Sequence, residues 1–364
     1  MAVGKAVLEA FGFICSAAFW RAGVLWTLSL IFSHLKLITQ TRKRYSRCSP
    51  KDSNFAADAV QRPVCIVTGA TSGLGAAAAH ALSKEGFYVV LVSRSSEKLM
   101  KVISDIKRQN HEACLKAFEV NLSSFKSILE FKQLFQQWQR DSGMHSSIQL
   151  LINNAGILAT SQRFTSEGYD EMMATNYIGP FCLTKTLLPL LENSPTPARV
   201  VNVSSFTHWS VCCKRADLEA VTGRCFLKSK GYPYAHIYEY SKFCMLLFAY
   251  ELHKQISLLE KSQHISVVAA DPGMVKTNIM RQVPPCLAEM SYIALTPLGV
   301  VRSSEEGVSS VLDAALAPPE VSGVYFFGGN GRTLNSSPLS YNANLAKELW
   351  TTSCNLFEEL QMAS

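Results

Sequence analysis

The segment YPYAHIYEYSK, residues 232–242, sets four tyrosines ahead of a lysine. A phenol is a poor acid at neutral pH, with a reference pKa of about 10, and a nearby ammonium lowers that value by favouring the phenolate. On a helix, residues four apart share a face, so Tyr238 stands beside Lys242 while Tyr240 points nearly away. Tyr234 follows Gly231 and Pro233 and is expected ahead of the helix. Tyr238 is therefore the phenol suited to exchange a proton with an oxygen on a reacting carbon. Taken alone, a Y-x-x-x-K pair is just as much an ordinary pair on a helix face, so its weight depends on what surrounds it.

The surroundings alternate. VCIVTG is a short apolar run ending in glycine, AAAAHALSKEG is helix-like and stops at Gly86, and YVVLVSR is a second apolar run. SEKLMKVISDIKRQ, LKAFEVN, SSFKSILEFKQLFQQWQRD and IQLLINNAG continue the rhythm, followed by a helix around YDEMMATNYIGPFCLTKTLLPLL, the strand ARVVNVSS, the helix of Tyr238 and the strand ISVVAADPG. The strands are continuously apolar, which means that both sheet faces are covered. The expected fold is α/β: a doubly wound, Rossmann-like parallel sheet forming one catalytic domain with an N-terminal hydrophobic segment. The expected division is 1–40 as a hydrophobic anchor or targeting segment, 41–60 as a basic linker and 61–364 as the catalytic domain.

VTGATSGLGAA (Val67–Ala77) falls between the first strand and the first helix. Gly69, Gly73 and Gly75, with Thr71, Ser72 and Leu74 in the same turn, let a pyrophosphate approach the backbone and the free N–H groups of the helix start. Folds of this kind that bind NAD usually carry an acid at the end of the second strand, for the ribose hydroxyls. Here Ser93 and Arg94 stand there, and no acid appears until Glu97. Serine and arginine can hold a 2′-phosphate that a carboxylate would repel, so NADP(H) is the expected cofactor. The plain alternative for Arg94 is a solvated surface charge.

These segments do not stand alone. TGATSGLG (Thr68–Gly75), NNAG (Asn153–Gly156), TNYIG around Asn176, VNVSS (Val201–Ser205), YEYSK (Tyr238–Lys242) and DPGMVKT (Asp271–Thr277) come in one order. In content and order they resemble the motifs of the short-chain dehydrogenase/reductase family. Within it the chain is similar to the membrane-associated retinol dehydrogenase branch and to the plant oxidoreductases called Forever Young. The resemblance implies Tyr238 as general acid or base, and Lys242 as the group that lowers its pKa and holds the nicotinamide ribose. It implies Ser205 as the hydroxyl that polarises the substrate oxygen, and Asn176 as the support of a water relay. It also implies Asn154 and Asn121 near the adenosine side, Asn121 standing where many relatives have aspartate, and Val275 and Thr277 near the carboxamide. Between Ser204 and Ser205, which face opposite sides of a regular strand, the residues alone do not choose; the family alignment favours Ser205. A homodimer through the helices of Asn176 and Tyr238 is frequent in the family.

The chain has 364 residues, 48% hydrophobic and 17% charged, with a formal charge of +7. Eleven cysteines, an odd number without a C-x-x-C pair, argue against a zinc or disulfide framework and fit a reducing compartment. From Ala10 to Ile38 the chain is almost wholly apolar, broken by Arg21, and Thr41–Arg47 adds four positive charges. A basic run directly after an apolar segment reads as a membrane flank and not as a nucleic-acid site. This points to a membrane anchor, with the catalytic domain on the cytosolic side of the endoplasmic reticulum. A helix lying in the membrane surface, or a chloroplast or other transit peptide, remains open because Glu9 is the one acid in the first 50 residues. Two glycosylation-type sequons, at Asn121 and Asn202, are expected to be buried. His208 near Ser205 lacks the G-x-S-x-G elbow of a hydrolase. The stretch between Ser205 and Tyr238, with Trp209, Phe226, Lys228 and Lys230, and the apolar segment after Thr277 are expected to cover a lipophilic retinoid-, steroid- or isoprenoid-like alcohol or carbonyl. The competing function is a non-catalytic NADP-binding scaffold or redox sensor.

Overall fold

The computed structural model describes residues 11, 15–40, 43–50, 59–228 and 231–363. Residues 51–58 of the expected linker, Lys230 and the side chain of Lys228 lie outside the described part, as does most of the segment before residue 15. Helix α1 (Ala17–Thr39) is capped by Ser16, whose hydroxyl accepts from the Phe19 N–H. The chain then alternates β1 (Val64–Thr68), α2 (Gly73–Lys84), β2 (Tyr88–Ser93), α3 (Ser96–Gln109), β3 (Cys114–Glu119), α4 (Phe125–Asp141), β4 (Leu150–Asn153), α5 (Gly179–Glu192), β5 (Ala198–Val203), α6 (Tyr234–Ser257) and β6 (Ile265–Asp271). A short pair, β7 (Met274–Val275) and β8 (Val301–Arg302), brackets the helix α7 (Pro285–Leu295). The chain closes with α8 (Ser309–Ala315), β9 (Tyr325–Phe327), β10 (Thr333–Leu334) and α9 (Ala343–Met362).

Eight strands form one sheet in the order β10-β9-β6-β5-β4-β1-β2-β3, parallel throughout except for β10. Its continuously apolar strands divide their side chains between two layers. Val64 and Ile66 of β1 face the layer of α4, α5, α6 and α9, where Phe131, Phe181, Phe243 and Leu349 are buried. Cys65 and Val67 face the layer of α2, α3 and α8, where Leu82, Leu99 and Val311 are buried. The strand order reverses between β1 and β4, and a crevice opens at the carboxyl ends of strands at such a switch point.

Three local features depart from expectation. The helix expected through residues 169–191 is continuous over 171–192 but carries a π turn at Ala174–Ile178, between Glu171–Met173 and α5, which starts at Gly179. Pro180 has no N–H to give, and a Cβ on Gly179 would land on the Leu122 carbonyl oxygen, so the backbone is pressed against its neighbour here. Second, α6 begins at Tyr234, immediately after Pro233, so Tyr234 lies on the helix and not ahead of it. Third, residues 43–48 are tied to the domain. The Tyr45 N–H donates to the Gly331 carbonyl (3.0 Å), the Cys48 N–H donates to the Leu316 carbonyl, and Arg47 pairs with the nearly buried Asp313 (2.7 Å).

Helix α1 is not detached from the domain either. Arg21 binds Glu239 of α6, Ser29 and Ser210 share a hydrogen bond (2.9 Å), His34 meets the Phe327 ring at 5.1 Å, and Leu37 packs against Gly328. One side of the helix, through Ala22, Ser29, Leu30, Ser33 and Leu37, is buried over its whole length.

Candidate functional site

The glycine turn after β1 is a backbone device. Gly69 and Gly73 sit at φ +68° and +54°, where side chains are strained. A Cβ on Gly75 would collide with the Gly69 carbonyl oxygen and stand 2.6 Å from Asn154 Nδ2. Ser72 at the start of α2 makes no side-chain cap bond, which leaves the first N–H groups of the helix facing the crevice. Asn154 fastens the turn: its Nδ2 donates to the Thr68 carbonyl (2.8 Å), and its own N–H donates to Thr68 Oγ1 (3.0 Å). At the end of β2, Ser93 shares a hydrogen bond with Thr71 (3.3 Å). Arg94 and Arg163 both pair with Glu171, at 3.4 and 2.8 Å, and Arg281, which the sequence reading did not single out, is held close to the same group.

At the other end, π-turn geometry aims Asn176 inward. Its Oδ1 accepts from the Ile157 N–H (2.8 Å), and its Nδ2 donates to the Ile157 carbonyl and to Ser241 Oγ (both 3.0 Å). Lys242 is buried and its Nζ donates to the Val203 carbonyl (3.1 Å). Gly156 lets these two residues close in, since a Cβ there would stand 3.3 Å from Lys242 Nζ and 3.5 Å from Asn176 Oδ1. The two serines differ in their partners. Ser204 Oγ donates to the Lys242 carbonyl (2.9 Å), whereas the Ser205 hydroxyl accepts from the Thr207 N–H (3.3 Å) and lies on the cavity side, close enough to act on the Tyr238 phenol.

The electrostatics differ from the simple Tyr–Lys picture. Burial pushes the Tyr238 phenol above its ordinary value, the Asp271 carboxylate pushes it further, and the Ser205 hydroxyl opposes both. Lys242 does not offset this as expected, because its ammonium is engaged with Val203 and is itself brought down to about 8 by burial, against the pull of Asp271. Asp271 was not anticipated. It is fully buried, raised by burial to about 6, and held by the Tyr325 hydroxyl and the Gly273 N–H. His208 is structural: its Nδ1 donates to the Ser205 carbonyl (2.7 Å), its Nε2 accepts from the Ser337 N–H (3.1 Å), and burial lowers it to about 4.

All of this surrounds one cavity of about 380 Å³, a size suited to a small-molecule ligand. Gly69, Thr71, Ser72, Gly73, Leu74, Gly75, Ser93, Arg94 and Asn154 line it, together with Ser205, Tyr238, Lys242, Val275 and Thr277, the last of which packs against Gly73. Asn176 lies just behind, through Ile157. Asn121 is not brought in: its side chain is exposed and its Oδ1 accepts from Ser123 (2.8 Å), while the neighbouring Val120 and Leu122 line the cavity. Of the two sequons, Asn202 is buried as expected and Asn121 is not. The buried hydroxyls of Thr175 and Thr207 also line the cavity and have no hydrogen-bond partner among the described residues, so the wall has polar capacity to spare.

The apolar wall has an unforeseen contributor. Beside Leu287, Tyr292 and Leu295 of α7, the cavity is walled by Phe19, Ala22, Trp26 and Leu30 of α1. The Trp26 ring lies 5.7 Å from the Tyr238 ring, and its Nε1 donates to Glu239 (2.7 Å), the residue after Tyr238. Nothing in the apolar run of α1 signals this; Arg21, a charge near its start with Lys36 as the other near its end, is the trace that could have been followed.

Comparison with known proteins gives a consistent result. The short chain dehydrogenase family matches residues 63–209. Polyprenol dehydrogenase of Homo sapiens is 32% identical over 300 residues, covering 80% of this chain and 84% of its own. A dehydrogenase/reductase SDR family member, FEY, of Arabidopsis thaliana is 30% identical, covering 80% of this chain and 77% of its own. Retinol dehydrogenase 12 of Homo sapiens is 29% identical over 336 residues, covering 91% of this chain and 97% of its own. An uncharacterized protein from Mycobacterium paratuberculosis has a solved structure that superposes with a TM-score of 0.60 at 28% identity, covering 82% of this chain and 94% of that one.

Proposed function

We propose, from the premise that this chain belongs to the short-chain dehydrogenase family, that it interconverts a lipophilic alcohol and its carbonyl with NADP(H) at a membrane. The observation that carries the reading is the shared cavity: Tyr238 and Ser205 line the same space as the glycine turn and an apolar wall. The residues fit a dinucleotide, since the turn admits no side chain at Gly75 and the uncapped start of α2 supplies free N–H groups. When bound, the cofactor supplies or accepts the hydride.

The protein's own part is proton and oxygen chemistry. Ser205 hydrogen-bonds the substrate oxygen. Tyr238, kept neutral by its raised pKa, gives that oxygen a proton during carbonyl reduction. Lys242 remains cationic below about pH 8, holds ribose hydroxyls, and lies one glycine away from Asn176, which anchors a route for proton return. Arg94 is the residue for a 2′-phosphate, with Arg281 beside it; Glu171, which now occupies Arg94, would be displaced by the stronger anion. Val275 and Thr277 lie where the nicotinamide end would rest, and Asn154 holds the turn at the adenosine end. The apolar wall from α1 and α7 supports a long apolar substrate, as do relatives named for polyprenol and retinol. The eleven free thiols support a reducing, cytosolic setting, with the endoplasmic reticulum as the membrane.

The test is NADPH oxidation with a panel of lipophilic aldehydes and ketones, repeated with NADH and with Tyr238→Phe. Turnover that prefers NADPH and collapses in the variant supports the reading. NADPH binding without turnover of any panel member refutes it in favour of a non-catalytic scaffold.

A further inference from the structure

Helix α1 is long and apolar enough to cross a bilayer, yet the domain holds it at both ends. Contacts run from Arg21 at its start, through Trp26, Ser29 and His34, to Leu37 at its finish. A helix docked along its whole length on a folded domain cannot also stand across a membrane. Its opposite side is a second apolar stripe: Val24, Leu28, Phe32, Leu35 and Ile38 are exposed, Ile38 at 81%. Helix α7 lies beside α1, since buried Leu30 shares a packing cluster with Leu295, and α7 adds exposed apolar residues of its own, Met290 and Ile293, each 64% exposed.

Charge says what covers this face. Residues 17–50 contain no carboxylate. Arg21 and Arg47 are spent on Glu239 and Asp313, while Lys36, Lys43 and Arg44 make no ion pair among the described residues. An apolar stripe with flanking cations and no acids matches the acyl boundary and anionic headgroups of a bilayer better than a second copy of the same cationic surface.

We propose that the outward face of α1, extended by α7, is a membrane-docking surface. The helix lies along the bilayer interface while its inner face walls the cavity, so that an apolar substrate passes from the leaflet between α1 and α7 to Tyr238. The route rests on the function proposed above; the docking does not.

Two measurements on the full chain separate them. Genetically encoded ketone side chains at Val24, Leu28, Leu35 and Ile38 accept a spin label without touching the cysteines, and their depth is read in phosphatidylcholine vesicles with and without phosphatidylserine. A helix lying flat holds the four labels at one shallow depth, and phosphatidylserine strengthens binding. A depth that changes by about 21 Å from residue 24 to residue 38, the length of that stretch standing upright, overturns the proposal, as does absence of vesicle binding. The second is Val24→Glu/Leu28→Glu/Leu35→Glu, three residues that do not line the cavity. Vesicle flotation falls on the order of 100-fold, and turnover of a small water-soluble carbonyl stays unchanged. Unchanged flotation, or a dimer broken with flotation intact, refutes the docking surface. A wild-type protein that turns over no carbonyl would refute the function and leave the label depths to decide the docking.

Discussion

The clasp between α1 and α6, the helix of Tyr238, gives the sharpest perturbation. Both guanidinium nitrogens of Arg21 bind the two oxygens of Glu239, at 2.8 and 3.0 Å. The Glu239 side chain is 1% exposed and that of Arg21 22%. Arg21→Met keeps an apolar stem but strands a buried carboxylate. Removing one partner of a buried pair costs about 3–5 kcal/mol, and the lower end applies because Trp26 still donates to Glu239 and the carboxyl, already raised by burial, can take up a proton. About 3 kcal/mol is a factor on the order of 100. The loss falls on the docking of α1 and not on the sheet, since the other partners of the pair, the Ser210 carbonyl, Cys212 and Trp26, lie on α1 or on the loop after β5 and not on a strand. Hydrogen exchange across residues 17–39 should therefore accelerate on the order of 100-fold while β1 and β4–β6 stay protected. KM for a long apolar carbonyl should rise, with that of a short water-soluble one unchanged. Arg21→Met/Glu239→Met should recover most of the docking, because no charge is then left buried. Exchange in α1 within about threefold of wild type, or loss of protection spread evenly over the sheet, would refute the claim that this pair holds the wall of the cavity.

Tyr238→Phe should lower turnover about 10²–10⁴-fold and leave NADPH affinity, read by fluorescence titration, nearly intact. Arg94→Ala should raise KM for NADPH about tenfold or more, the worth of a charged hydrogen bond, with KM for NADH unmoved; equal effects on both would make Arg94 a surface charge. Carbonyl reduction should hold steady up to about pH 8 and decline above it as Lys242 loses its proton. Asp271→Asn removes an anion that raises Lys242, so the decline should move about one pH unit lower, as a pH–rate profile would reveal. Gly75→Ala forces a Cβ against the Gly69 carbonyl and Asn154, and should cost about 1–3 kcal/mol in denaturant unfolding together with cofactor affinity.

The sheet was legible because buried parallel strands must be apolar on both sides, and VCIVTG, YVVLVS and ISVVAAD are. Most of the cavity wall was legible for a similar reason: the glycine turn and the Tyr238–Lys242 spacing are local constraints, written in consecutive residues. What depended on distant partners was not. Asn176 sits on a π turn because Gly179 presses on Leu122, some 57 positions away in the chain. The acidity of Tyr238 depends first on its burial and then on Asp271, which arrives from β6, while Lys242 Nζ is drawn to the Val203 carbonyl of β5. Spacing along a helix tells which side chains share a face, but not which of them a neighbouring strand engages first.

Helix α1 shows the limit most clearly. A helix that packs on a domain with one face and against lipid with the other is apolar all round, as is one that crosses a bilayer, so composition cannot separate the two. The discriminating residue is the one that breaks the pattern. In a spanning helix Arg21, close to the start, would have to reach back to the headgroups; docked, it pairs with Glu239, which would otherwise be an uncompensated buried charge next to Tyr238. The same pair sets Trp26 beside the Tyr238 ring. The energetic reason for α1 to stay on the domain is thus also the reason the cavity has a wall, and a substitution that frees the helix to enter the bilayer must open the site at the same time.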